Sequence, residues 1–521
     1  MLETAVETTG RDPLLRVLHE RFLLQDFRKG QRGILASVLE GRDTMAVMPT
    51  GGGKSLCYQL PAYAMNRLVI VISPLIALMR DQVRNLRGLG LRAGCLHSGQ
   101  DIEEKKRYFS EIREGGAFLL YLSPERVQKD GFATWIRTQD VGLFAIDEAH
   151  CVSQWGPDFR PDYDKLRLLR ELKPSVPILA LTATATPPVL DDIVRSLDLR
   201  KPERHVRGFY RPNLFYQVVI CEADDQKIEM IKTAVRRTPE GRVLIYCGTR
   251  QMTESLATEL SLSFDGVGFY HAGLTPEARN EVQRKVERGD YRILCATNAF
   301  GMGIDYPDVR LVAHYQMPAN IESFYQEMGR AGRDGKMSRC LLLYSKRDRG
   351  LQSFFIQQSK AEPRVISSKW RALDAMVQFA EGGECRHAGI LTYFRDSERI
   401  KRCGHCDICS PLSDLLIPVE PARPKTFTTK VRKKKFTTDR SEKLETPEAE
   451  LRAEIMREWR KNYADENDIP PFMVFSNRTL IDLCNRNPQT LDQLRGIYGF
   501  GEAKTTAVGD RILADLRRAR G

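Results

Sequence analysis

Seven consecutive residues, Pro49-Thr50-Gly51-Gly52-Gly53-Lys54-Ser55, are suited to hold a polyphosphate. Three glycines let backbone N–H groups curl round phosphate oxygens with no Cβ in the way, and the start of a following helix adds positive potential. In such a loop Lys54 reaches the β- and γ-phosphates of ATP and the Ser55 hydroxyl sits on Mg²⁺. The alternative is a glycine-rich turn that holds no nucleotide. Further along, Asp147-Glu148-Ala149-His150 sets two carboxylates side by side. Asp147 can approach Mg²⁺ and Glu148 the attacking water. Arg330 and Arg333, in Gln326-Glu327-Met328-Gly329-Arg330-Ala331-Gly332-Arg333-Asp334-Gly335, are predicted on one helix face, able to meet a γ-phosphate across a cleft. A solvated basic helix is the alternative there. Cys385, Cys403, Cys406 and Cys409 follow the pattern C-x17-C-x2-C-x2-C. Four thiolates satisfy tetrahedral Zn²⁺, with His387 and His405 as possible substitutes and an iron–sulfur cluster as the rival.

Elements must carry these groups. Thr44–Met48 precedes the glycine loop, and Leu68–Ile72, Phe118–Leu122, Leu143–Ile146 and Ile178–Leu181 are short apolar runs separated by amphipathic stretches. Each run ends in polar or small residues, as parallel strands do where they enter a βα loop. The rhythm recurs at Val243–Tyr246, Gly266–Tyr270, Arg292–Ala296, Leu311–His314 and Cys340–Tyr344. The fold class is therefore α/β, with two tandem parallel-sheet units over 1–207 and 208–348. A helical module with the cysteine knuckle is predicted over 349–410, a basic linker over 411–446 and a small all-α domain over 447–521.

The chain of 521 residues carries 80 Lys and Arg against 68 Asp and Glu, a net +12 that favours a polyanionic partner. Residues 421–440 hold eight basic residues and one acid, Asp439, so a net +7 of that excess lies in the linker. Residues 447–521 balance twelve basic against twelve acidic side chains. The densest charge, Arg432-Lys433-Lys434-Lys435, is thus the expected electrostatic handle, unless the linker is merely solvated. The first residues lack the basic and apolar regions of a signal peptide, and the apolar stretch Leu68–Met79 is broken by Ser73 and Pro74. A cytoplasmic chain with no membrane partner is expected, nucleoid-associated in a bacterium, and its twelve cysteines are expected not to pair as disulfides.

Together the motifs resemble those of superfamily 2 helicases, and over residues 10–410 the detail resembles the RecQ family. Phe27-Arg28-Lys29-Gly30-Gln31 is similar to the family's adenine-reading motif, which implies contacts from Arg28 and Gln31 to the nucleotide. The aromatic often found three residues before that Phe is Leu24 here. Ser73-Pro74-Leu75-Ile76-Ala77-Leu78-Met79-Arg80-Asp81-Gln82 and Tyr121-Leu122-Ser123-Pro124-Glu125-Arg126 resemble strand-tracking motifs. Leu181-Thr182-Ala183-Thr184-Ala185-Thr186 resembles the hydroxyl-rich motif that links nucleotide state to DNA grip. Tyr246-Cys247-Gly248-Thr249-Arg250 and Ala296-Thr297-Asn298-Ala299-Phe300-Gly301-Met302-Gly303-Ile304-Asp305 match in order in the second unit. The most discriminating stretch is Cys151-Val152-Ser153-Gln154-Trp155-Gly156-Pro157-Asp158-Phe159-Arg160. Trp155 and Phe159 offer faces on which unpaired bases stack, and Arg160 a phosphate or cation–π contact. A packed tryptophan anchor is the plainer reading of that loop.

The resemblance implies two RecA-like lobes, a zinc module built on the four cysteines, and a helicase-and-RNase-D C-terminal (HRDC) domain over 447–521, carried by Trp459, Ile481-Asp482-Leu483-Cys484 and Ile497-Tyr498-Gly499-Phe500-Gly501-Glu502-Ala503-Lys504. Longer RecQ proteins place a winged helix after the zinc module; the interval to residue 446 is too short for one, and none is expected. The implied function is a DNA-stimulated ATP hydrolase that translocates 3′ to 5′ and unwinds tailed duplex DNA in repair or recombination. Single-stranded and tailed DNA, single-strand-binding proteins and repair proteins are the implied partners of a monomer. An RNA helicase is the second reading, and a scaffold with a dead motor the third.

Overall fold

The computed structural model describes residues 12–49, 51–97, 100–153, 159–301, 306–359, 361–419, 444–467, 471–475, 477–497, 499–500 and 502–518. The first sheet holds β1 (Thr44–Val47), β2 (Leu68–Ile72), β3 (Ala93–Leu96), β4 (Phe118–Leu122), β5 (Val141–Ile146), β6 (Ile178–Thr182) and β7 (Glu203–Val206). Its order is β3-β4-β2-β5-β6-β1-β7, every pair parallel. The second holds β8 (Leu214–Ile220), β9 (Arg242–Tyr246), β10 (Val267–Tyr270), β11 (Ile293–Ala296), β12 (Val309–His314) and β13 (Ser338–Tyr344), in the order β10-β11-β9-β12-β13-β8, again parallel. Parallel strands joined by crossover helices are covered on both faces, so they read as unbroken apolar runs. β2 (LVIVI) and β4 (FLLYL) are buried at every residue.

Three strands lie outside the runs read from the sequence. β3 is Ala-Gly-Cys-Leu, and its Gly94 is there for packing: a Cβ would stand 2.7 Å from Cγ of Tyr108. β7 is Glu-Arg-His-Val, a polar edge strand held in place by β1. β8 opens the second lobe, and the zinc module covers its outer edge. Cys406 bridges Tyr216 in parallel, Asp407 N–H donates to Tyr216 O at 2.9 Å, and the Gln217 side chain exchanges two 2.8 Å bonds with the Ile417 backbone. An open strand edge is an aggregation hazard, and here the metal module closes it. The predicted helix face for Arg330 and Arg333 also differs from the structure. The helix ends at Met328 and both arginines follow in turns, because Gly329, Gly332 (φ +55°) and Gly335 (φ +82°) interrupt it.

Helices Lys346–Gln358, Pro363–Glu381 and Arg386–Tyr393 form the module after the second sheet. Phe394 stacks on Phe209 at 4.4 Å and Asp396 accepts from Phe209 N at 2.8 Å, which pins the module to the crossing between the lobes. The five C-terminal helices enclose their own core, including Met456, Phe475, Leu483 and Leu516, and meet the module through Arg460–Glu384 at 2.8 Å. Among the described residues, no helix is long and apolar enough to cross a membrane.

A buried ion pair locks the second sheet to the module. Lys227 Nζ lies 2.7 Å from Asp348 and also donates to Tyr315 O at 2.9 Å, while Ser345 N–H donates to the same carboxylate at 2.9 Å. Removing one charge leaves the other buried and uncompensated, which costs about 3–5 kcal/mol. Lys227→Met is therefore expected to lower the calorimetric melting of the second lobe by several degrees, and adding Asp348→Asn to recover much of the loss. A single variant that melts like the parent contradicts this accounting.

Candidate functional site

β1 delivers the chain into the glycine loop and the helix Leu56–Met65 leaves it. Gly51 (φ +81°) and Gly53 (φ +80°) both adopt the left-handed region that favours glycine, and Gly52 N–H donates to Pro49 O at 3.0 Å. Thr50 lies outside the described residues. Lys54 Nζ donates to Met48 O at 3.2 Å, and Ser55 adopts helical angles immediately before the helix. Gln31, predicted to read adenine, is buried: its Nε2 donates to Gly53 O at 2.9 Å and its Oε1 accepts from Arg28 N at 2.7 Å. Arg28 in turn donates to Gly51 O. Both residues brace the loop backbone, and Gln31 keeps a second amide proton and a second lone pair with which to read a base.

Asp147 follows β5 at the same sheet edge. Its N–H donates to Ile72 O at 2.9 Å and Tyr163 OH donates to its carbonyl at 3.0 Å. Burial, with the Glu148 charge second, pushes the Asp147 carboxyl up to about 7, while Lys54 opposes the rise. A carboxylate so placed gains from a cation beside it, which fits Mg²⁺ held with Ser55. Glu148 sits at φ +47°, a left-handed angle uncommon outside glycine, and its Oε2 is buried without a hydrogen bond. His150 Nδ1 lies 3.4 Å from that oxygen and 2.8 Å from Thr182 Oγ1. Thr182 spends its own proton on Thr184 O at 3.0 Å, so the His150–Thr182 bond requires a proton on Nδ1.

The second lobe enters here. Gln326 Nε2 donates to Thr184 Oγ1 at 2.8 Å across 142 residues of sequence. Both residues fall in stretches the sequence singled out, yet no spacing rule announces that they meet. A Cβ on Gly51 would stand 3.7 Å from Arg333 Cγ, so Arg333 borders the glycine loop. Arg330 is held inside its own lobe: it donates to Gly301 O, with Nε buried and lacking a hydrogen bond. Of the aromatic loop, Trp155 lies outside the described residues. Phe159 is exposed, and Arg160 is tied to the first strand-tracking motif through Pro74 O at 3.2 Å.

The four cysteines converge. One sulfur each from Cys385, Cys403, Cys406 and Cys409 lies within 4.8 Å of the others, and a second group joins His387, Cys403 and His405. Backbone N–H groups of Ala388 and Cys403 point at Cys385 Sγ, and that of His405 at Cys403 Sγ. Sulfur accepting backbone N–H is the chemistry of thiolate. Four convergent sulfurs already complete a tetrahedral set, so the all-thiolate group is the fit for Zn²⁺.

Known proteins match the chain segment by segment. Residues 28–193 match the DEAD/DEAH box helicase family, 226–335 the helicase conserved C-terminal domain, 346–410 the RecQ zinc-binding family and 450–515 the HRDC domain. The ATP-dependent DNA helicase RecQ of Bacillus subtilis is 35% identical over 583 aligned positions, covering 96% of this chain and 98% of that one. The chain belongs to the RecQ family. The RecQ of Haemophilus influenzae is 40% identical over 76% of this chain, which spans 63% of that relative's length. A relative from Acanthamoeba polyphaga mimivirus, 38% identical over 78% of this chain and 74% of its own, carries an ATP-dependent RNA helicase name. Among solved structures, MrfA bound to DNA superposes at a TM-score of 0.51 and 17% identity, over 71% of this chain and 54% of its own. Dbp5 of S. cerevisiae bound to RNA and ADP BeF3 gives 0.50 and 17%, over 69% and 97%. At those identities the likeness concerns the fold. The Bacillus subtilis alignment is longer than the 521 residues of this RecQ-family chain, so that relative holds segments with no counterpart here.

Gln31→Ala removes two bonds that shape the loop in this RecQ-family protein. The expected outcome is a KM for ATP raised about three- to tenfold, the worth of one to two neutral hydrogen bonds, with a smaller change in kcat. A loss confined to kcat in steady-state assays contradicts the bracing role.

Proposed function

We propose that this chain is an ATP-driven DNA helicase that moves 3′ to 5′ along one strand and unwinds tailed duplex in repair or recombination. The observation that carries the reading is the meeting of two lobes at one glycine loop. Lys54, Asp147 and Glu148 stand at strand ends of the first sheet, and Arg333 of the second lobe borders Gly51. Membership of the RecQ family supports DNA as the polymer.

In this reading the loop over 50–53 and Lys54 bind the phosphates, and Ser55 with Asp147 would hold Mg²⁺, which would supply charge neutralisation. Glu148 orients the attacking water, with His150 Nδ1 3.4 Å from its Oε2. Arg330 and Arg333 supply cationic forks when the cleft tightens, for which Arg330 must leave Gly301. Trp155, Phe159 and Arg160 grip the unpaired strand, and the tether from Arg160 to Pro74 passes that grip to the neighbouring motif. The working divisions are lobes over 1–207 and 208–348, the zinc module over 349–410, the linker over 411–446 and the HRDC domain over 447–521. A monomer acting with single-strand-binding and repair proteins in the cytoplasm, on the nucleoid in a bacterium, completes the proposal.

The RNA reading rests on the mimivirus relative's name. ATP turnover measured with single-stranded DNA and with RNA of matched sequence separates the two, and duplexes with a 3′ or a 5′ tail give the polarity. Lys54→Ala is expected to abolish turnover by weakening nucleotide engagement, and Glu148→Gln to retain bound ATP uncleaved, each lowering kcat by at least about a hundredfold. Stimulation by RNA alone, or undiminished single-turnover cleavage in Glu148→Gln, overturns the assignment.

A further inference from the structure

A second binding feature lies in the first lobe, away from the ATP site. β3 and β4 end side by side at Leu96 and Leu122, at the far edge of the sheet from β1. Beyond them the helices Ile102–Arg113 and Phe132–Thr138 enclose a cavity of about 380 Å³. Its floor is aromatic: Trp135 meets Phe109 edge-on at 5.5 Å and Phe132 at 5.9 Å. Its rim is cationic, with Arg113, Arg126 and Lys129 against one acid, Asp130.

Two facts make this more than a gap between helices. Arg126 lines the cavity with its Nε buried and without a hydrogen-bond partner, so its guanidinium is not spent on a protein acceptor. None of the three cations is joined to any described residue by a side-chain hydrogen bond or ion pair. Most cations of this lobe do find partners, as Arg67 does with Asp140 and Arg87 with Glu111. The volume falls in the range of small-molecule sites, and half-buried aromatic faces beside an unpaired guanidinium suit a flat ring that carries an anion.

Position selects the ligand. In this parallel sheet the carboxyl ends of all strands share one edge, so the cavity opens beside the motif ending at Arg126 and two strands, about 10 Å, from Asp147 beyond β5. A polynucleotide running along that edge passes its mouth. We propose that the cavity captures one unpaired base of the tracked strand, stacked against Trp135, with the adjoining phosphate on Arg126 and the rim cations Arg113 and Lys129. The inference rests on the nucleic-acid reading above and adds a base-holding pocket to it, offset from the aromatic loop after Asp147.

The test walks a single abasic nucleotide along a short single-stranded oligothymidine and measures affinity for the full chain. Loss of one stack costs about tenfold, so the wild type is expected to show one sensitive position for the pocket, apart from any that the aromatic loop after Asp147 produces. Trp135→Leu is expected to flatten that dip. The double reversal Arg113→Glu/Lys129→Glu, at exposed residues whose change leaves the core intact, is expected to weaken binding at least tenfold and to make the dip shallower. A profile without a dip, or one that persists unaltered in both variants, overturns the pocket. An acidic peptide ending in phenylalanine that binds the wild type and neither variant, while the abasic profile stays flat, overturns it in favour of a peptide site. Wild-type hydrolysis that DNA fails to stimulate removes the motor reading itself; a flat profile with intact stimulation removes only the pocket.

Discussion

The bond from Gln326 Nε2 to Thr184 Oγ1 spans the two lobes at 2.8 Å, and the acid pair is connected through it to the second sheet. From Thr184 the chain of contacts runs through its backbone carbonyl to Thr182 Oγ1, and from there to the His150 and Glu148 side chains. Each lobe is rigid because its parallel sheet is buried on both faces. The polar bond across the cleft is worth about 1 kcal/mol net and lies beside apolar packing, around Phe209, that is continuous with both sheets. A bond of that size is readily exchanged, as the proposed nucleotide-driven cycle requires.

The zinc module limits that freedom. It closes the edge of the second sheet along β8 and holds Phe209, at the crossing between lobes, with the Phe394 ring and the Asp396 carboxylate. Lys29 of the first lobe reaches Glu398 of the module at 2.6 Å. The metal cluster therefore stabilises a hinge as well as a short segment with little core of its own.

Much of this was legible in the residues. β2, β4, β5 and β6 announce themselves because burial on both faces demands unbroken apolar runs, and the glycine loop and the acid pair fall at strand ends where parallel sheets place chemistry. β3 and β7 were not legible: one is short and keeps a glycine for Tyr108, and the other is a polar edge; β8, apolar but for Gln217 and paired with β13, carried the signal of a strand. The helix face predicted for Arg330 and Arg333 failed because three glycines outweigh the apolar spacing before them. Gln31 could be named but its partners could not, since a side-chain amide bonds whichever backbone groups the tertiary fold brings near. The meeting of Gln326 and Thr184 belongs to the same class of tertiary fact.

The central claim is that the bond between Gln326 and Thr184 couples cleft closure to the acid pair, and a double-mutant cycle tests it most directly. DNA-stimulated kcat is measured for Thr184→Val, for Gln326→Leu and for the two together. Each single change is expected to lower kcat about three- to tenfold, and the pair to be scarcely worse than either alone, because both remove the same bond. Effects that multiply in the double variant would show that the two side chains act independently and contradict the account.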